Sequence, residues 1–286
     1  MKIGFIGLGI MGKPMCKNLI KTGYDIVVSS SKNETNQELK QAGATVLNTY
    51  KELASTSDVV ITMVPNSPEV KAVIDEIKDK LKQGATVIDM SSIAPIASQE
   101  IAEVLKERGV GFLDAPVSGG EPKAIEGTVS VMVGGNEETF EKCKPILESM
   151  AGSVVRVGDV GAGNSAKLAN QIIVALNISA VSEAFVLAKN MGVDLELIHQ
   201  AIRGGLAGST VLDAKGPMMI ERDFKPGFKI DLHLKDLNNV METAEELGVS
   251  LPLSQLMQDA LRTLSNEGYG QEDHSAILRY FENMHT

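Results

Sequence analysis

The first half of the chain alternates between short apolar runs and longer segments whose apolar positions recur at helical spacing. Apolar runs lie at residues 3–6, 25–28, 58–64, 85–90 and 111–113, and the intervening stretches 67–82 and 97–108 carry one apolar and one charged face. Apolar runs of three to seven residues between amphipathic helices predict buried parallel strands joined by helical crossovers. A first helix is expected from Gly12 to about residue 22, burying Met15, Leu19 and Ile20 and stopping at Gly23. Two further strands at 128–133 and 154–157, with a helix at 137–150 between them, complete an α/β doubly wound, largely parallel sheet.

The pattern changes after the stretch 161–164. Residues 165–191 form one mostly apolar helical segment without proline or glycine. At 1.5 Å per residue it spans about 40 Å, long enough to leave one domain and enter another. Because it is apolar nearly all round, it must be buried among helices or in a subunit contact. Beyond His199 no strand run of any length occurs, so an all-α C-terminal domain is expected, broken by the glycine-rich loop 203–216 and by 224–228. The predicted organisation is a sheet domain over 1–162 and a helical domain over 163–286.

Composition narrows the function. Of 286 residues, 43% are hydrophobic and 22% charged, with a formal net charge of −10 and no basic cluster. That balance argues against nucleic acid and against an anionic membrane surface as partner. The apolar stretch 171–188 contains Asn177, Ser179, Ser182 and Glu183, which reads as too polar and too short to span a bilayer. Cys16 and Cys143 belong to no motif, and a strand opens the chain without a signal-like segment, so a soluble cytoplasmic protein is expected. His199, His233, His274 and His285 show no ligand spacing, so no metal is expected, and no G-x-S-x-G or Cys–His pattern offers a covalent nucleophile.

The strongest chemical signal is the turn Ile6-Gly7-Leu8-Gly9-Ile10-Met11-Gly12 between the first strand and the first helix. In this G-x-G-x-x-G pattern the first glycine permits a tight turn and the second admits a pyrophosphate. The third allows close helix packing, and the uncapped helix amides attract phosphate. The second strand lacks the carboxylate that usually grips the ribose of NAD. Ser30, Ser31 and Lys32 stand there instead, groups suited to a 2′-phosphate, which favours NADP with NAD possible. Val64 and Pro65 follow one strand and Ser92 follows the next, at the carboxyl edge where such sheets bind ligands. Ser92 is read either as a nicotinamide contact or as the cap of the following helix. In the turn Ser118-Gly119-Gly120, bare amides and a hydroxyl could hold a carboxylate. Lys167 shares a helix face with Asn170 and Gln171, three and four residues on, and could serve as a proton donor.

Four segments in order resemble one family. Residues 5–18 are similar to the N-terminal signature of the β-hydroxyacid dehydrogenases, relatives of 3-hydroxyisobutyrate and 6-phosphogluconate dehydrogenases. Residues 114–120 resemble the family's substrate-binding segment, 161–167 its catalytic segment and 233–237 its C-terminal motif. The resemblance implies a Rossmann-type domain followed by a helical domain built on a long interdomain helix; the apolar character of that helix points to a homodimer or homotetramer. It also implies NAD(P)H reduction of a small anionic semialdehyde to a hydroxyacid, with Lys167 as the acid. Ser118, Gly119 and Gly120 would bind substrate with Asn170 or Gln171, and Phe228 and Lys235 would join the cofactor contacts. The stretches 167–171, 202–215 and 224–228 are most similar to the branch acting on tartronate semialdehyde. Other semialdehydes on the same fold, a silent dinucleotide-binding module and imine reduction are the competing readings.

Overall fold

The structure, a computed structural model, describes residues 1–284; His285 lies outside the described residues. The chain divides into two compact units, Met1–Lys167 and Leu168–Thr286. In the first, strands and helices run β1 (Lys2–Ile6), α1 (Gly12–Lys21), β2 (Asp25–Val28), α2 (Asn33–Ala42), β3 (Thr45–Val46), α3 (Tyr50–Thr56), β4 (Val59–Thr62), α4 (Ser67–Ile77), β5 (Thr86–Asp89), α5 (Pro95–Lys106) and β6 (Gly111–Asp114). They continue with β7 (Val117–Ser118), α6 (Gly120–Glu126), β8 (Val129–Gly135), α7 (Glu137–Glu148) and β9 (Ala151–Gly158), and then enter α8 (Ala162–Asn190).

The strand order is β3-β2-β1-β4-β5-β6-β8-β7, with β9 pairing β8. From β3 to β6 every pairing is parallel; β8 runs antiparallel to β6 and β7, and parallel to β9. Successive side chains of a strand face opposite sides, and here both sides are covered. On β1, Ile3 and Phe5 enter one apolar cluster and Ile6 the other; on β4, Val59 and Ile61 separate from Val60 in the same way. Each such fully buried side chain stabilises the fold by about 1.5–3 kcal/mol. The order reverses between β1 and β4, which places the switch point beside the end of β1.

The second unit is helical: the rest of α8, then α9 (Leu195–Ile202), α10 (Thr210–Glu221), α11 (Ile230–Glu246), α12 (Pro252–Leu264) and α13 (Leu278–Asn283). Its core joins Ile178 and Phe185 of α8 to Leu212 of α10, Ile230 and Leu237 of α11, and Leu261 of α12.

Several expectations are corrected. The long helix begins at Ala162, so Gly163 and Asn164 lie in its first turn, not in a loop before it. With 29 residues and a mean hydropathy of 1.8, α8 is long and apolar enough to cross a membrane, contrary to the sequence reading. A core helix of a helical domain meets the same criteria, and Ile178, Val181, Phe185 and Val186 are buried against its neighbours. The segment around Ser118 is no simple turn: β6 extends through Asp114 and β7 pairs Ser118 with Ser130 before α6 starts. Short elements α2, α3, α6, β3 and β7 were not foreseen. In α2 only Thr35 and Leu39 are buried, too few apolar positions to show a period.

Candidate active site

The glycine turn is built as its sequence requires. Gly7 has φ +95°, and a Cβ there would press on the Met63 carbonyl just beyond β4. A Cβ on Gly12 would meet the Gly7 carbonyl oxygen and the Phe5 ring, so the third glycine lets α1 start against the turn itself. Around Gly9 a Cβ would find nothing within 4 Å. Met11, at the N-cap position of α1, supplies no side-chain cap. Open space over Gly9 beside uncapped helix amides fits a pyrophosphate. Leu8 and Met11 are half-buried against the core, and Ile10 is exposed.

At the end of β2, Ser30 Oγ accepts a hydrogen bond of 3.1 Å from the Lys32 amide, and the exposed Ser31 and Lys32 lead into α2. Lys13 and Lys17 of α1 converge on Glu38 of α2, whose carboxyl those two ammonium groups hold down at about 2.

Along the carboxyl edge of the sheet, the loops carrying Val64 and Ser92 are tied to a buried carboxylate. Asp89, 0% exposed, accepts from Thr62 Oγ1 at 2.8 Å and from the Ser91 amide at 3.2 Å; Ser91 Oγ in turn accepts from the Val64 amide at 3.0 Å. Burial pushes the Asp89 carboxyl up to about 6, and its Oδ2 has no hydrogen-bond partner. Ser92 is half-buried and does not cap α5: the cap position is Ala94, whose amide donates to Ser67 Oγ. Pro65, which follows Val64, is exposed.

Ser118 closes β7 and is half-buried; Gly119 and Gly120, at φ +146° and +71°, take conformations that favour glycine. Lys167 is 6% exposed, so it is buried and not a solvated surface lysine. Asp114, at the end of β6, receives the amides of Gly161 and Asn164 at the start of α8, each at 2.8 Å. Burial also raises its carboxyl to about 6, against the pull of those amides.

In the helical unit the structure joins Gln171 to Lys235 through Asp236. Gln171 Nε2 donates to Asp236 Oδ2 at 2.6 Å, the other oxygen of Asp236 pairs with Lys235 Nζ at 2.9 Å, and Asn170 Nδ2 donates to Gln171 Oε1 at 2.8 Å. Phe228 packs edge-on against His233 and His274, whose Nδ1 atoms lie 2.9 Å apart. Because His233 Nε2 faces the Gln171 carbonyl at 3.3 Å, it must donate there; its Nδ1 then accepts from His274 Nδ1–H. Asp273, 0% exposed, holds the Phe228 segment by accepting the amides of Gly227, Phe228 and Ser275 and the Lys215 ammonium. Burial would raise its carboxyl, but His274, Lys215 and the amides outweigh it and hold it at about 2.

Sequence reading missed Asp89, Ser91, Asn164, Asp236 and Asp273. Each acts through a partner far along the chain, and only Asp236, adjacent to Lys235 in the C-terminal motif, carried a local signal. Among the described residues no group of three or more His, Cys, Asp or Glu is arranged to hold a metal.

Two family models cover nearly the whole chain. The NAD-binding domain of 6-phosphogluconate dehydrogenase matches residues 2–158, and the NAD-binding domain of NADP-dependent 3-hydroxyisobutyrate dehydrogenase matches residues 161–281. The chain belongs to the 3-hydroxyisobutyrate dehydrogenase-like, or β-hydroxyacid dehydrogenase, family. It is 45% identical to 2-hydroxy-3-oxopropionate reductase of Escherichia coli, over 99% of this chain and 98% of that one. It is 34% identical to 2-(hydroxymethyl)glutarate dehydrogenase of Eubacterium barkeri, over 99% and 96%. Among solved structures, the Mycobacterium tuberculosis 3-hydroxyisobutyrate dehydrogenase with L-serine superposes with a TM-score of 0.92 at 31% identity, covering 97% of this chain and 98% of that one. This member is therefore an NAD(P)-dependent oxidoreductase of a family whose substrates are small hydroxyacids and vary between members.

Proposed function

We propose that the protein reduces tartronate semialdehyde (2-hydroxy-3-oxopropanoate) to D-glycerate, with NADPH preferred over NADH. The 45% identity to the Escherichia coli reductase, sustained over the full length of both chains, carries the choice of substrate. Residues 6–12 take the pyrophosphate, Ser30, Ser31 and Lys32 take the 2′-phosphate, and Val64, Pro65 and Ser92 face the nicotinamide half, with Phe228 and Lys235 as further cofactor contacts. When bound, the nicotinamide supplies the hydride. Ser118 and the amides of Gly119 and Gly120 hold the substrate carboxylate. Lys167 Nζ donates a proton to the carbonyl oxygen as the aldehyde carbon is reduced, leaving a neutral amine that water reprotonates. A lysine that is 6% exposed can be aimed at one oxygen far better than a solvated one. Asn170 is the amide proposed for substrate, since both ends of the Gln171 amide are engaged.

Lys167→Ala should lower turnover by about 10²–10⁴, the usual scale for a lost acid–base group. Turnover within a few-fold of the parent would remove Lys167 from the reaction. A panel of semialdehydes tests the substrate: those bearing an α-hydroxyl should win, because a site built to hydrogen-bond that group rejects analogues without it. Preference for the 3-hydroxyisobutyrate pair would instead favour the reading suggested by the solved relative. The exposed Ile173 and Leu187 of α8, with Met191 just beyond it, support a homodimer or homotetramer, and the two buried thiols suit a cytoplasmic enzyme.

A further inference from the structure

Resting on that reading, we propose that Asp114 and Asn164 are positioning residues: together they form a buried joint that locks the helix turn bearing Lys167 to the loop bearing Ser92. The first amides of a helix have no partner within it. The amides of Gly161, just before α8, and of Asn164, in its first turn, are taken by the two oxygens of Asp114 at 2.8 Å each, so the cap comes from strand β6 instead of the preceding residue. A carboxylate there also meets the positive end of the helix dipole.

Asn164 makes the second half of the joint. It is 0% exposed; its Oδ1 accepts from the Ile93 amide at 3.1 Å and its Nδ2 donates to Ser98 Oγ of α5 at 3.0 Å. Ile93 directly follows Ser92, and Lys167 follows Asn164 by three residues, one turn of the same helix. One side chain thus couples the two segments that the reaction must hold in register. The backbones are close enough to be rigid: a Cβ on Gly163 would run into the carbonyls of Asp114 and Met132, and one on Gly134 into the Asp114 carboxylate. Burying a carboxylate and an amide is costly unless every polar atom is satisfied, and here both are tied at each end. What the arrangement supplies is placement, and a displacement of about 1 Å at a reacting group can cost about 10²-fold in rate.

The test uses the full chain with Asn164→Ala and, as a milder cut, Ser98→Ala. Three quantities are read: kcat for semialdehyde reduction, the NADPH dissociation constant from nicotinamide fluorescence, and the rate of reductive methylation of Lys167 by peptide mass spectrometry. Asn164→Ala should lower kcat by about 10- to 100-fold and speed Lys167 methylation, while NADPH affinity falls by no more than a few-fold because the glycine-turn contacts to the pyrophosphate stay in place. Ser98→Ala should shift kcat and methylation the same way, by less. Wild-type kcat and methylation in the folded variants would overturn the proposal, as would NADPH affinity falling in step with kcat, the mark of general loosening. Should Asn164→Ala not fold, Ser98→Ala, which keeps the Ile93 bond, decides alone. A parent enzyme that reduces no semialdehyde would refute the functional reading, and the methylation rates would then decide the joint by themselves.

Discussion

Asp89 is buried with one oxygen bonded to Thr62 and the Ser91 amide and the other without a partner. An asparagine in its place keeps the accepting oxygen and removes the charge that burial disfavours. Asp89→Asn should therefore leave the melting temperature at pH 7 unchanged or raise it, and should flatten its dependence on pH between 4 and 7. A clear drop in melting temperature at pH 7 would show the ionised carboxylate to be needed. Gly7→Ala meets a different fate. At φ +95° against the Met63 carbonyl it forces the turn to move, so NADPH affinity should fall at least tenfold, or about 1.4 kcal/mol, as read by fluorescence titration. The glycine turn was legible in the sequence because each of its demands is local: a positive φ, a close carbonyl, a helix start. Asp89 and Asn164 were not legible in the same way, since their partners lie 27 and 71 residues away.

Elements were readable wherever apolar positions kept a period. Strands β1, β2, β4, β5 and β6 and helices α1, α4, α5, α7 and α8 all fall where spacing put them, within a few residues at the ends. Elements whose packing face is one or two residues wide left no period to read; α3 buries Leu53 and Ala54 alone. Caps fix several helix starts and can be tested one at a time. Asn136 accepts from the amides of Glu138 and Thr139 at the start of α7, and Asp194 accepts from those of Glu196 and Leu197 at the start of α9. Removing either with alanine should cost about 0.5–2 kcal/mol in urea unfolding. NADPH affinity should not move in either variant, because neither cap touches the glycine turn.

On the scale of the molecule, the two units carry buried carboxylates of opposite sign in their response to acid. Asp89 and Asp114 in the first unit titrate near 6, above their unfolded value of 3.8, so the folded state binds more protons between those limits. Their contribution is full below 3.8 and is lost as pH rises through 6, a change of the order of 1–3 kcal/mol each. Asp273 in the second unit sits at about 2, so its contribution is present above 3.8 and is lost as pH falls through 2. Hydrogen exchange resolved by peptide should therefore show the sheet unit better protected at pH 5 than at pH 7, after correction for intrinsic rates. Over the same interval the Asp273 region should not change, and loss of protection in the sheet unit at pH 5 would contradict the assignment.

The boundary between the units falls inside α8, between Lys167 and Leu168, and from Asn164 to Asn190 that helix contains neither glycine nor proline. A consequence concerns recombination within the family. Because α8 runs unbroken across that boundary, its length is a phase: each residue inserted turns the following residues of the helix by about 100° and advances them by about 1.5 Å. A single alanine inserted after Leu168 would swing Asn170 and Gln171 off the face they share with Lys167. Chimaeras that splice the sheet unit of one relative onto the helical unit of another must therefore cross over in register, residue for residue. Splices one residue longer or shorter within the stretch 167–171 should lose turnover, because they break the helix face that Lys167 shares with Asn170 and Gln171.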